Sequence, residues 1–165
     1  MAGKVLQPPR VLFVCTGNIC RSPTAEGLLV HKAKAADFEV VADSAGTSDE
    51  ERGNPPDPRA RQVAQRRGVV LPERRARQVV RQDFERFDLI LPMTRGHETI
   101  LQRVVPQGAT ARIERFLNYA PELGLQDVPD PWYGTVKDYE HAFDLIEAGI
   151  DGLLRELMRG TPARG

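Results

Sequence analysis

Arg10 to Cys15 reads RVLFVC, and no other stretch constrains the fold as tightly. A short, continuous apolar run of β-prone residues suits a strand buried on both faces of a parallel sheet. The loop Cys15-Thr16-Gly17-Asn18-Ile19-Cys20-Arg21-Ser22 follows at once, and then Ala25, Leu28, Leu29, Ala33 and Ala36 recur at helical spacing. Ser22 and Pro23 are expected to cap that helix and form its first turn. Strand, tight loop and helix in succession open an α/β sheet.

The alternation continues along the chain. Phe38 to Ala42 (FEVVA) predicts a second strand, followed by a loop of small residues, Ser44-Ala45-Gly46-Thr47. Asp57-Pro58 opens a helix with Ala60, Val63 and Ala64 on one face and Gly68 closing it. Asp88 to Leu91 predicts a third strand, Ile100, Leu101 and Val104 mark the helix after it, and Ala111 to Phe116 predicts a weaker fourth strand. Val136, Tyr139, Phe143, Ile146, Ile150, Leu153 and Leu157 fall on one stripe, the pattern of a long helix packed on a sheet. The expected fold is therefore α/β: a single three-layer domain over residues 10–159, with a four-stranded parallel sheet, helices on both faces and a tight loop after the first strand whose ligand is taken up below. Residues 1–9 and 160–165 are expected to be tails.

The chain carries 23 basic and 23 acidic side chains in 165 residues, so its formal charge is zero and no global attraction to nucleic acid or anionic membrane arises. Arg59, Arg61, Arg66, Arg67, Arg74, Arg75, Arg77 and Arg81 form a basic stretch that suggests a nucleic-acid-binding module. It has no interleaved aromatic residues for stacking and reads instead as a solvated face. No apolar run approaches the roughly 20 residues of a membrane-spanning helix, and Met1 to Arg10 lacks the apolar core of a signal peptide. The expected location is the cytoplasm, with neither membrane nor nucleic acid as partner. Cys15 and Cys20 are too few for a disulfide scaffold, and His31, His97 and His141 lack ligand spacing, so no metal site is expected.

In open α/β sheets ligands bind beyond the carboxyl ends of the strands, which directs attention to the first loop. It has neither the three glycines of a dinucleotide turn nor the Gly-Lys-Ser/Thr of a nucleotide triphosphate loop. Its backbone N–H groups can instead form a concave nest for a tetrahedral oxyanion at a helix N-terminus. Thr16, Gly17, Asn18, Ile19, Cys20 and Arg21 are the candidate phosphate-binding positions. Arg21 can hold two phosphate oxygens with its planar guanidinium, which lysine cannot copy. Cys15 would lie at the floor of the nest, where the same dipoles favour a thiolate over a thiol of ordinary pKa about 8.5. A hydroxyl from Ser22 could add a hydrogen bond to the sulfur.

A thiolate attacking a phosphate ester also needs an acid to protonate the leaving oxygen. Asp127 to Gly134 (DVPDPWYG) is a proline-punctuated segment before the long helix, and Asp130 between Pro129 and Pro131 is the candidate acid. Trp132 and Tyr133 beside it could wall a slot for an aromatic leaving group.

These residues resemble the low-molecular-weight protein tyrosine phosphatase family from Arg10 to about Leu157. The signature is matched by Val14-Cys15-Thr16-Gly17-Asn18-Ile19-Cys20-Arg21-Ser22-Pro23, the second loop by Ser44-Ala45-Gly46-Thr47, and the acid loop by Asp130-Pro131-Trp132-Tyr133-Gly134. The resemblance implies hydrolysis of phosphotyrosine, an aryl phosphate monoester, in proteins or peptides through a cysteinyl-phosphate. Cys15 would be the nucleophile, Arg21 the phosphate ligand, and Asp130 first acid and then base. Asn18, Ser22 and Ser44 would support the loop, and Cys20 would be the partner of Cys15 in a reversible disulfide. The resemblance further implies a monomer with no cofactor or metal, and free phosphate as product and inhibitor.

The chain departs from the family pattern at three places. Glu50, within Asp49-Glu50-Glu51, stands where relatives often carry an aromatic residue, so the pocket wall of Ile19, Glu50, Trp132 and Tyr133 is partly acidic. Arg74 and Thr94 replace a His and an Asp that many relatives carry. A protein-arginine phosphatase of the same family is the nearest alternative, but that branch tends to have a small polar residue where this chain has Ile19. Arsenate reductases use cysteines further downstream, and none follows Cys20. A non-catalytic phosphate-binding module would fail to hydrolyse p-nitrophenyl phosphate.

Overall fold

The apolar run forms β1 (Arg10–Cys15), in which Val11 to Val14 are wholly inaccessible to solvent. In the computed structural model, which describes residues 7–160, β1 is flanked on both sides within an all-parallel sheet of order β2-β1-β3-β4. Its companions are β2 (Val41–Gly46), β3 (Leu89–Pro92) and the short β4 (Arg112–Ile113). The helices are α1 (Arg21–Ala35), α2 (Pro58–Arg66), α3 (Asp83–Arg86), α4 (Arg95–Val104) and α5 (Val136–Met158).

Alternation along β1 divides the interior into two cores. Val11, Phe13 and Cys15 face Leu28 and Leu29 of α1, Val63 of α2, and Ile146, Ile150 and Leu153 of α5. Leu12 and Val14 face Phe84 of α3 and Leu101 of α4. Each fully buried Leu or Phe contributes about 1.5–3 kcal/mol through removal of its surface from water. The expected three-layer arrangement with helices on both faces follows. Of the expected tails, residues 1–6 and 161–165 lie outside the described residues.

The element boundaries differ from expectation where tertiary pairing overrides local pattern. The second strand is Val41–Gly46 rather than Phe38 to Ala42, because it pairs with β1 from Arg10↔Val41 to Cys15↔Gly46. Phe38 belongs to the exit of α1, where its N–H donates to the carbonyl of Ala33. Ser44, Ala45 and Gly46 are therefore strand residues and not a loop. The third strand lies one residue later than expected, at Leu89–Pro92. The fourth strand is cut to Arg112–Ile113, because Phe116 turns into a 3-10 segment and packs edge-on against Phe13 with ring centroids 5.7 Å apart. In α4 only Leu101 of the expected apolar trio is buried, while Ile100 and Val104 are exposed.

Two helix starts matter for the site. Asp57 caps α2 as expected, accepting from the N–H of Arg59 at 2.7 Å. The expected cap on α1 is not made: the helix begins at Arg21 with Cys20 at the cap position and no side-chain cap, and Ser22 lies inside the first turn. The hydroxyl of Ser22 is directed to the sulfur of Cys15 instead. The positive end of α1 is thus left uncovered by protein side chains, where an anion would benefit from it.

Among the described residues no helix is long and apolar enough to cross a membrane, and no cluster of three or more His, Cys, Asp or Glu could hold a metal ion.

Candidate active site

Cys15 ends β1, and the loop that follows is held by bonds from three directions. Behind it, Asn18 takes a left-handed backbone conformation, φ +62°, that turns its side chain into the protein. Its amide donates to Ser22 Oγ at 3.0 Å and to Ser44 Oγ at 2.9 Å, and its Oδ1 accepts from the N–H of Arg77 at 3.0 Å. Cys15 Sγ lies 3.0 Å from Ser22 Oγ. Ser44 in turn donates to Glu26 Oε1 at 2.8 Å, and Glu26, buried within α1, is paired with Arg74. Burial pushes the Glu26 carboxyl above its ordinary range, opposed by the bond from Ser44 and by the Arg74 charge. A continuous chain of polar contacts therefore runs from a buried carboxyl through Ser44, Asn18 and Ser22 to the sulfur.

From β2, Gly46 lets the loop approach closely: a Cβ at that position would stand 2.4 Å from the Thr16 carbonyl oxygen. The N–H groups of Thr47 and Ser48 then donate to the carbonyls of Cys15 and Thr16 at 2.8 and 3.1 Å. From α4, His97 joins Thr16 Oγ1 through Nε2 at 2.8 Å and Thr94 Oγ1 through Nδ1 at 2.9 Å. Burial, and after it the nearby Arg21 charge, lower the His97 pKa to about 4. The ring is neutral, and two hydroxyls that can each donate or accept satisfy it.

Arg21 is buried, with its Nη1 donating to the carbonyl of Val128 at 2.9 Å and its Nη2 3.5 Å from Asp130 Oδ2. Asp130 itself is half exposed, and its Oδ1 accepts from the N–H of Trp132 at 3.1 Å. Cys20, also buried, donates its thiol to Tyr139 Oη at 3.6 Å, and burial pushes that thiol up to about 12. Both cysteines are free.

The structure brings the sequence-derived candidates together. Cys15, Thr16, Gly17, Ile19, Cys20 and Arg21 line one cleft of about 190 Å³ with Glu50, Asp130, Trp132 and Tyr133. Asn18, Ser22 and Ser44 lie behind its floor. Glu51 joins the wall beside Glu50 and Gly46 joins the support, and Glu26, Arg77, His97 and Val128 add support that the sequence does not mark for the site. The two substituted positions also find partners, Arg74 with Glu26 and Thr94 as the cap of α4.

A buried sulfur, a buried guanidinium at the uncapped start of a helix and a half-exposed carboxyl thus share one cleft at the carboxyl end of the central strand of an α/β protein. The chain belongs to the family described as low molecular weight phosphotyrosine protein phosphatase, whose model matches residues 10–163. It is 39% identical to the low molecular weight protein-tyrosine-phosphatase of Streptomyces coelicolor over 162 residues, covering 93% of this chain and 98% of that protein. The crystal structure of YfkJ from Bacillus subtilis superposes with a TM-score of 0.87 at 36% identity, covering 94% of this chain and 98% of that one. The crystal structure of the Drosophila arginine phosphatase DARP superposes with a TM-score of 0.85 at 26% identity, covering 89% of this chain and 96% of that one.

Proposed function

We propose that the protein hydrolyses phosphotyrosine and related aryl phosphate monoesters through a cysteinyl-phosphate. The observation that carries this reading is the meeting of Cys15 Sγ, backed by Ser22 at 3.0 Å, with the Arg21 guanidinium and the Asp130 carboxyl in one cleft. In the first step the Cys15 sulfur forms a bond to phosphorus, the bond to the leaving oxygen breaks, and Asp130 gives that oxygen a proton. In the second, water attacks phosphorus, Asp130 takes its proton, and the sulfur–phosphorus bond breaks to release phosphate. Arg21 and the loop N–H groups hold the equatorial oxygens in both steps, so positioning and charge stabilisation do most of the work. Trp132 and Tyr133 flank the aromatic leaving group.

The test is hydrolysis of p-nitrophenyl phosphate and phosphotyrosine peptides. Cys15→Ser should abolish turnover while vanadate still binds, and Asp130→Ala should slow aryl ester cleavage by roughly 10²–10⁴-fold with the fold intact. Full activity in either variant would overturn the role given to that residue.

One observation favours a second reading, phosphoarginine hydrolysis: Glu50 and Glu51 on the cleft wall would face the cationic guanidinium of that substrate. Rates on phosphotyrosine, phosphoarginine and phosphoserine peptides separate the two readings. Cys20 is the proposed redox partner. A peroxide would oxidise Cys15 to a sulfenic acid, which condenses with the Cys20 thiol, losing water and forming a disulfide. The protein is proposed to act in the cytoplasm as a monomer on phosphorylated proteins, with phosphate as product and inhibitor.

A further inference from the structure

Arg59 stands outside the cleft lining, yet it touches both sides of the cleft's support. It follows Pro58 at the start of α2, and its Nε and Nη2 grip the two oxygens of Asp57 at 3.2 and 3.1 Å. Asp57 is buried, and its own N–H donates to the carbonyl of Ile19 in the phosphate-binding loop at 2.7 Å. The remaining prong, Nη1, donates to the carbonyl of Trp132 at 3.2 Å. The flat face lies 5.2 Å from the centroid of the Trp132 ring and 4.6 Å from that of Tyr139, the residue that accepts from Cys20. One guanidinium is thus fixed from the phosphate-loop side by Asp57 and Tyr139 and reaches the acid loop through both the backbone and the ring of Trp132.

The acid loop needs such a tie. Residues 130–134 belong to no helix or strand. Among the described residues, the bond from Arg59 is the one hydrogen bond to their backbone that comes from another element. Asp130 is half exposed, its own bond goes to Trp132 within the loop, and Arg21 stands 3.5 Å away. A general acid must sit within hydrogen-bond reach of the leaving oxygen, and a displacement of about 1 Å can cost about a hundredfold in rate. We propose that Arg59 is the positioning residue of the acid loop, holding Asp130 over the cleft by clamping Trp132 to the Asp57–Ile19 side of the phosphate-binding loop. A lysine could supply the charge, but it has no planar fork to serve Asp57 and Trp132 together.

The catalytic half of this proposal rests on the phosphatase reading, whereas the structural half can be read without turnover, because Trp132 is the only tryptophan in the chain. In Arg59→Gln, acrylamide should quench Trp132 emission more strongly than in the unmodified protein. Arg59→Lys, which keeps charge and stem, should behave in the same way. In turnover, both variants should lose roughly ten- to a hundredfold more kcat/KM, which reports the first step alone, on phenyl phosphate, whose leaving oxygen needs a proton, than on dinitrophenyl phosphate, whose leaving oxygen does not. That extra loss should vanish in the Asp130→Ala background, because Arg59 acts through Asp130. Unchanged quenching in both variants would overturn the clamp. Equal losses on the two esters, or a loss that persists without Asp130, would overturn the positioning role. Should the unmodified protein cleave neither ester, the phosphatase reading fails, and the quenching result still decides whether Arg59 holds the loop.

Discussion

Asn18 shows how much of the site depends on a side chain that need not touch a substrate. It spends a left-handed backbone conformation to aim one amide at Ser22, Ser44 and the N–H of Arg77. Asn18→Ala leaves those buried groups short of a partner and keeps the strained φ, so it should destabilise the fold by about 3 kcal/mol. Asn18→Gly loses the same bonds without the strain and should be roughly 1 kcal/mol less costly. Urea denaturation of the two variants measures both; equal losses would show that the backbone conformation carries no cost. Cys15, Arg21 and Asp130 were legible in the sequence because their chemistry is announced by residue type and local spacing. Glu26, Arg77 and His97 were not, because each is defined by a partner 48, 59 or 81 positions away: Arg74, Asn18 and Thr16, respectively. Arg59 was read as part of a basic face for the same reason, since Trp132 lies 73 positions further on.

At the scale of elements, α4 is coupled to the loop after β1 through a neutral histidine, and this has a consequence for acid stability. The His97 pKa falls to about 4 in the folded protein from an ordinary 6.5. Between those values the unfolded chain takes up a proton that the folded chain refuses, so this contribution to stability is lost as pH falls from 6.5 to about 4. The full shift is worth about 3 kcal/mol. Glu26 acts in the opposite sense: its carboxyl is raised, so the folded protein holds a proton there that the unfolded chain has already released, and acid favours the fold. His97→Gln should therefore isolate the histidine contribution. Its urea midpoint should fall less between pH 7 and pH 4.5 than that of the unmodified protein, and parallel losses would place the acid sensitivity elsewhere. The elements themselves were legible where one face is buried along a long period, as in α5, or where a whole strand is apolar, as in β1. β2 was misplaced because its last residues, Ser44, Ala45 and Gly46, are chosen for small size beside the loop and not for strand propensity.

Over the whole molecule, charge is balanced locally as well as in sum. Four of the eight arginines of the basic stretch are engaged with carboxylates of other elements: Arg66 with Glu140, Arg67 with Asp144, Arg74 with Glu26 and Asp43, and Arg77 with Asp43 and with Asp83 at the start of α3. The stretch binds α2 and the segment after it to the rest of the fold, which composition could not reveal because it counts charges without their partners. The sheet has a comparable reach. Cys15 pairs in register with Gly46, and Val14 with both Ala45 and Pro92, so the residue carrying the sulfur ends a buried strand that is flanked on both sides within the sheet. The proposed nucleophile therefore has no hinge of its own to melt. On heating, catalytic capacity and near-ultraviolet circular dichroism should disappear together in one transition, and an inactivation curve that runs ahead of unfolding would mean that the cup around the sulfur loosens by itself. Durability in this protein is then inherited from its interior: whatever toughens the central strand prolongs the working life of the catalyst.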